Sequence, residues 1–215
     1  MINISEFSVN QVKIMFEIDL YFILEIIGTI AFAISGAMVA IENKMDILGV
    51  LILGVTTAIG GGIIRDILIG STPPTALINP LYSLIAFSVA AIVFIPAIRR
   101  HVNVNHKWFV FIDSLGLGVF TVIGLKTAMP FNNILFALFL AVLTGVGGGV
   151  IRDVFATQKP TIFVRHFYAA ASLSGAIVCI ILFPINETLA MISGIAVTLI
   201  LRLLAAQFKW HLPKA

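Results

Sequence analysis

Apolar residues in this chain come in runs far longer than a soluble helix requires, with polar residues confined mainly to short gaps between them. Seven runs are apparent, at about 19–41, 47–69, 80–98, 108–127, 131–154, 166–185 and 188–207. Crossing the hydrocarbon core as a helix takes roughly 20 residues, so each run predicts a transmembrane helix. The runs are continuously apolar rather than alternating, which argues against a spanning β-barrel. The expected fold is an all-α polytopic membrane protein, one membrane domain over residues 1–215. The first run is not read as a cleaved signal. Ala31-Phe32-Ala33 imitates a cleavage site, but Glu6, Glu17 and Asp19 precede the run and Glu25 interrupts it.

The runs are not independent of one another. TAIGGGIIRD at 57–66 recurs as TGVGGGVIRD at 144–153, an offset of 87 from Thr57 to Thr144. Upstream, at an offset of 88, Glu25 pairs with Asp113, Gly28 with Gly116, Phe32 with Phe120, Gly36 with Gly124 and Ala40 with Ala128. Downstream, at 86, Tyr82 answers Tyr168. Each repeat, about 19–98 and about 108–185, holds three runs. An odd number of crossings forces the second copy to enter from the opposite side, so the expected layout is two inverted three-helix repeats plus a seventh helix at 188–207. Inverted repeats typify transport proteins, with a path or site at their interface.

The chemistry of interest sits in the repeated motif. Three consecutive glycines cost a helix roughly 1 kcal/mol each relative to alanine, so Gly60, Gly61, Gly62 and Gly147, Gly148, Gly149 predict a kink or unwound turn in spans two and five. Backbone freed at membrane depth must be buried in protein or line a wet cavity, where carbonyls can replace part of a cation's hydration shell. The competing role is close helix packing, expected mainly of Gly28, Gly36, Gly116 and Gly124. Thr57 and Thr144, one turn earlier, can bond the carbonyl four residues back and bend the helix, or offer hydroxyls to ions.

Charges inside the runs are costly and so informative. Arg65, Asp66, Arg152 and Asp153 lie just beyond the triplets, as structural clamps or as charges at two pore mouths. Adjacent helix residues do not face each other, so each Arg is expected to pair with another helix, through the Asp or carbonyls of the opposite repeat. Glu25 and Asp113 near helix starts are compatible with interfacial placement, and Arg202 is expected to snorkel or to form a salt bridge near the cytoplasmic face. Lys126 has Met38 as its repeat mate and no evident partner; it either snorkels outward or responds to voltage.

Composition narrows the remaining classes. Hydrophobic residues make up 60% and charged residues 11%, more apolar than a soluble core of this length can hide. The single cysteine, Cys179, excludes an intramolecular disulfide or a cysteine-based metal site. His101, His106, His166 and His211 lack metal-ligand spacing, so no metal and no cofactor are expected. The triplet lacks the Gly-Lys-Ser/Thr ending of a phosphate loop, and no nucleophile, base and orienting group stand at recognisable spacing, so an enzyme is not expected. Basic residues follow the loops rather than aromatic platforms, arguing against nucleic acid. Lys44, Arg99, Arg100, Lys107, Lys159, Arg165, Lys209 and Lys214 fall on one side, opposite Lys13, Glu6, Glu17, Asp19 and Glu187. The positive-inside rule then puts the C-terminus in the cytoplasm and the N-terminus outside.

The twin glycine-Arg-Asp motifs, the three-plus-three-plus-one layout and the ending RLLAAQFKWHLP at 202–213 resemble the prokaryotic branch of the trimeric intracellular cation (TRIC) channels. The resemblance covers nearly the whole chain. It implies a homotrimer in the bacterial inner membrane, in contact with lipids, with a hydrophilic pore inside each subunit and kinks at both triplets. It further implies permeant potassium and sodium, and a gating role for Lys126 on the fourth helix. The alternative carried by similar bacterial proteins is a secondary transporter of glycine or another small amino acid.

Overall fold

The computed structural model describes residues 20–101, 106–164 and 167–210. Glu6, Lys13, Glu17, Asp19, Arg165, His166, His211 and Lys214 lie outside them. Every element is helical or turn among the described residues. The long helices are α1 (Leu20–Glu42), α2 (Ile47–Leu68), α3 (Pro80–Phe94), α4 (His106–Ala128), α5 (Ile134–Phe155), α6 (Tyr168–Leu182) and α7 (Glu187–Gln207). Short helices at Thr75–Ile78, Pro96–His101 and Thr161–Val164 flank α3 and α6.

Five of the helices are long and apolar enough to cross a membrane: α1, α2, α4 with its 3-10 extension, α5 and α7. Two are shorter than the sequence predicts. α3 and α6 have 15 residues each, about 22 Å at 1.5 Å per residue. The run expected over 80–98 stops at Phe94 because Pro96 disfavours helical backbone at Ile95, which adopts φ −58° and ψ 127°. α5 starts at Ile134 rather than about 131 because Asn132 turns left-handed and the Asn133 side chain caps the Phe136 amide at 3.0 Å.

Equivalent polar residues begin and end α2 and α5. Asp46 caps the amide of Gly49 at 2.8 Å, as Asn133 caps that of Phe136. At the far end the amide of Ser71 bonds the carbonyl of Asp66 at 2.8 Å, and that of Gln158 bonds Asp153 at 2.8 Å. This closure needs a left-handed residue, supplied by Gly70 at φ 75° and by Thr157 at φ 54°.

α1 and α2 pack together with α3, α4 and α5 with α6, and the two groups meet through α1 against α4 and α2 against α5. α7 packs on α4 and α6. The seam is built from repeat-related residues: Phe32 and Phe120 have ring centroids 5.3 Å apart. A Cβ at Gly28 would press on Phe120, and one at Gly116 would press on Phe32. Small residues at this seam let the helices approach closely, as membrane helices require.

Candidate functional site

Helix continues unbroken through both triplets, so the unwound turn expected at Gly60 to Gly62 and Gly147 to Gly149 is absent. Tertiary packing overrides the weak helix propensity of glycine. Each glycine of a triplet has its own surroundings. A Cβ at Gly60 would meet Ile151, and one at Gly147 would lie 3.4 Å from Ile64. A Cβ at Gly61 would strike the carbonyl oxygen of Thr144, and one at Gly148 that of Thr57. The middle glycines thus mark the point where α2 and α5 cross backbone against backbone. The third glycines turn away from the crossing, towards two polar clusters. Thr57 and Thr144 donate to the carbonyls of Leu53 and Leu140 at 2.5 and 2.6 Å. Those hydroxyls are committed to their own helices and are fully buried.

In the first cluster, α1 supplies Glu25, α2 supplies Arg65 and Asp66, and α3 supplies Tyr82. Arg65 Nε and Nη2 each lie 2.8 Å from Asp66 Oδ1. Asp66 Oδ2 accepts from the backbone amide of Thr75 at 2.8 Å, holding the start of the short helix before α3. The hydroxyl of Tyr82 donates to Glu25 Oε2. These groups, with Thr29 and Gly62, line a cavity of about 30 Å³, room for a water molecule.

The second cluster repeats this with the residues 86 to 88 positions on. Arg152 Nε and Nη2 each lie 2.9 Å from Asp153 Oδ1, and Asp153 Oδ2 accepts from the amide of Thr161 at 2.6 Å. Each Arg pairs with its own neighbouring Asp, not with the Asp of the opposite repeat as expected. The arginine side chain is long enough to fold back along its helix, and the second carboxylate oxygen is held by the incoming loop. Arg152 also reaches other helices: its Nη1 donates to Asp113 Oδ1 on α4 and to Ser35 Oγ on α1. Arg202 enters from α7, Nη2 3.9 Å from Asp113 Oδ2 and guanidinium 4.6 Å from the Tyr168 ring centre. Arg202 and Asp113 are 3% and 1% exposed, so neither snorkels to an interface.

Lys126 is partnered as well, against expectation. Its Nζ lies 2.5 Å from Glu187 Oε1 at the start of α7 and 5.1 Å from the Tyr21 ring centre. Sequence spacing does not join Lys126 to Glu187, which stands 61 positions on in another helix. It also leaves Tyr82 and Tyr168 as repeat markers and does not reach Ser35, Thr75 or Thr161. The recurrence of Thr75 as Thr161, at the same offset of 86 as the tyrosines, was the available signal.

Comparison with known proteins gives this geometry its setting. A family model described as glycine transporter matches residues 22–97 and 110–184. The inner membrane protein YadS of Escherichia coli K12 is 40% identical over 196 residues, covering 88% of this chain and 92% of YadS. A solved structure concerned with conductance through TRIC cation channels is 42% identical with a TM-score of 0.82, covering 92% of this chain and 98% of that one. The trimeric intracellular cation channel orthologue from Rhodobacter sphaeroides is 30% identical with a TM-score of 0.82, over 89% of this chain and 99% of its own. The chain belongs to the UPF0126 family of membrane proteins, the bacterial TRIC family.

Proposed function

We propose that this protein is a monovalent-cation channel, permeable to potassium and sodium, with a path inside each subunit between two inverted three-helix halves. The whole chain forms one membrane domain, the subunits assemble as a homotrimer, and the C-terminus faces the cytoplasm. The observation that carries the reading is the first cluster. It gathers half-buried Glu25 and buried Asp66 and Arg65 around a cavity, for a formal charge of one negative, in a chain 42% identical to a TRIC cation channel. Charges at membrane depth are expensive and are retained where they serve a path or partner. A carboxylate left over after Arg65 is neutralised, beside threonine and tyrosine oxygens, favours a cation and disfavours an anion. Two further facts support the inverted halves: both triplets pack reciprocally across one seam, and the family-model matches begin 88 residues apart, at 22 and 110.

The test is reconstitution of the purified protein in planar bilayers with asymmetric potassium, sodium and chloride. Ohmic unitary steps reversing near the cation equilibrium potentials are expected. Saturable glycine uptake at fixed ion stoichiometry, without unitary steps, would instead establish a carrier.

A further inference from the structure

The two clusters share a backbone plan yet differ in what fills them. In the first, Glu25 reaches the hydroxyl of Tyr82 directly. In the second, the equivalent acid is one methylene shorter. Asp113 Oδ2 and the Tyr168 hydroxyl are buried, and neither has a hydrogen-bond partner among the described residues. Such orphaned pairs are rare in native structures and call for an occupant. The group lying against both is the guanidinium of Arg202, 3.9 Å from Asp113 Oδ2 and 4.6 Å from the Tyr168 ring centre. It comes from α7, the helix with no counterpart in the repeat, and among the described residues no second arginine lines the first cavity.

Formal charge follows the same division. Glu25, Asp66 and Arg65 leave one negative charge in the first cluster; Asp113, Asp153 and Arg152 leave the same in the second until Arg202 cancels it. Asp113 does not need Arg202 as its main counter-ion, because Oδ1 already accepts from Arg152 and from Ser35 Oγ. We infer that Arg202 is a tethered cation: it occupies in the second half the position that a permeant monovalent cation takes in the first. The second half is then a latent cation site of carboxylate, phenol and aromatic face, kept filled by α7, and Arg202 sets how many mobile ions each subunit holds. This rests on the reading of the first cavity as part of the ion path.

The test is rubidium anomalous diffraction on the full-length protein, parent and Arg202→Met, crystallised in rubidium chloride. Expected is a peak in the Glu25–Asp66 cavity of both proteins, and a second peak between Asp113 and Tyr168 in the variant alone. Arg202→Lys, which keeps the charge, should show only the first peak. Rubidium at the first cavity with none at the second in Arg202→Met overturns the proposal while leaving the channel reading standing. No peak at the first cavity in either protein overturns both. If Arg202→Met fails to assemble, the double variant Arg202→Met/Asp113→Asn, which removes the uncancelled charge, should assemble and bind no rubidium in the second half. Failure of the double variant as well would show that Arg202 serves packing, and would overturn the proposal.

Discussion

The two clusters carry the same Arg-Asp motif, the same bond to the first residue of the next short helix and a tyrosine in the same place, yet one opens on a cavity and the other is sealed. The shared features show what the architecture demands. In both, the second oxygen of the Asp holds a loop amide, at 2.8 Å on Thr75 and 2.6 Å on Thr161. Clamping that loop is the structural part of the motif. The differences, Glu25 against Asp113 and the approach of Ser35 and Arg202 to the second cluster, separate a formally negative site beside a cavity from a formally neutral one closed by Arg202. A buried ion pair is weak evidence for stability but a strong liability when broken, so the sealed half is where substitution should hurt most.

The largest contrast is therefore expected between Arg152→Met and Arg65→Met. The first strands Asp153 and one oxygen of Asp113 in a fully buried setting and should cost about 3–5 kcal/mol. The second leaves Asp66 beside a cavity that admits water and should cost clearly less. Thermal melts of the purified proteins followed by size-exclusion recovery measure the difference. Equal losses would mean that the two halves are not distinguished by solvation.

The triplets offer a graded version. Gly61→Leu or Gly148→Leu should separate α2 from α5 and lower assembly together with flux, because each side chain would drive into a carbonyl of the facing helix. Even Gly148→Ala should cost about 1–3 kcal/mol by overpacking. Gly62→Ala should be tolerated in stability, since its Cβ would meet only Arg65 Nη2 at 3.9 Å, and should alter conductance through the cavity it lines. Melting temperature and unitary current, measured on the same preparations, separate these outcomes. A destabilised Gly62→Ala with unchanged current would reverse the assignment of the third glycine.

Much of this organisation was legible from periodicity. Five of the seven apolar runs are helices long enough to cross a membrane, two are shorter, and the residues of the twin motif occupy matching places in two clusters. What periodicity along one chain does not record is which face a neighbour presents. From sequence the triplets favour a break over a crossing; in the structure the helices run on through them and the middle glycines face the carbonyls of Thr57 and Thr144. Lys126 looked unpartnered because Glu187 lies on another helix. Arg202 looked interfacial because it falls near a helix end; only the packing of α7 on α4 and α6 carries it inward to Asp113.

The tyrosines refine the same comparison at smaller scale. Tyr82→Phe removes a hydrogen bond to Glu25 and should destabilise by about 1 kcal/mol. Tyr168→Phe deletes a buried hydroxyl that has no hydrogen-bond partner among the described residues, and should be neutral or stabilising. Paired melts decide the matter, and a larger loss for Tyr168→Phe would show that its hydroxyl is held after all.

The smallest effect on stability, and the most telling for gating, is expected at the contact between α4 and α7 that the first half lacks. Lys126 and Glu187 are partly exposed, 28% and 47% by side chain, so their pair should contribute no more than about 1 kcal/mol and weaken in salt. Lys126→Ala should therefore leave assembly intact while shifting the voltage dependence of opening, since a charge crossing the full field gains about 2.3 kcal/mol per 100 mV and even a fraction moves an open-closed balance. Met38→Ala, at the equivalent position, should do neither. Glu187→Gln sharpens the point. If Lys126 acts by making and breaking this pair, Glu187→Gln should displace the same curve without altering its steepness, because the moving charge remains while the closed-state partner is lost. An anchoring lysine predicts the reverse pattern: lower trimer recovery for Lys126→Ala and an unmoved curve in the surviving channels. Open probability against voltage for the three variants, with trimer fraction by chromatography, distinguishes the two; an unshifted curve in both Lys126→Ala and Glu187→Gln would assign the pair to holding α7 against α4 and remove Lys126 from gating.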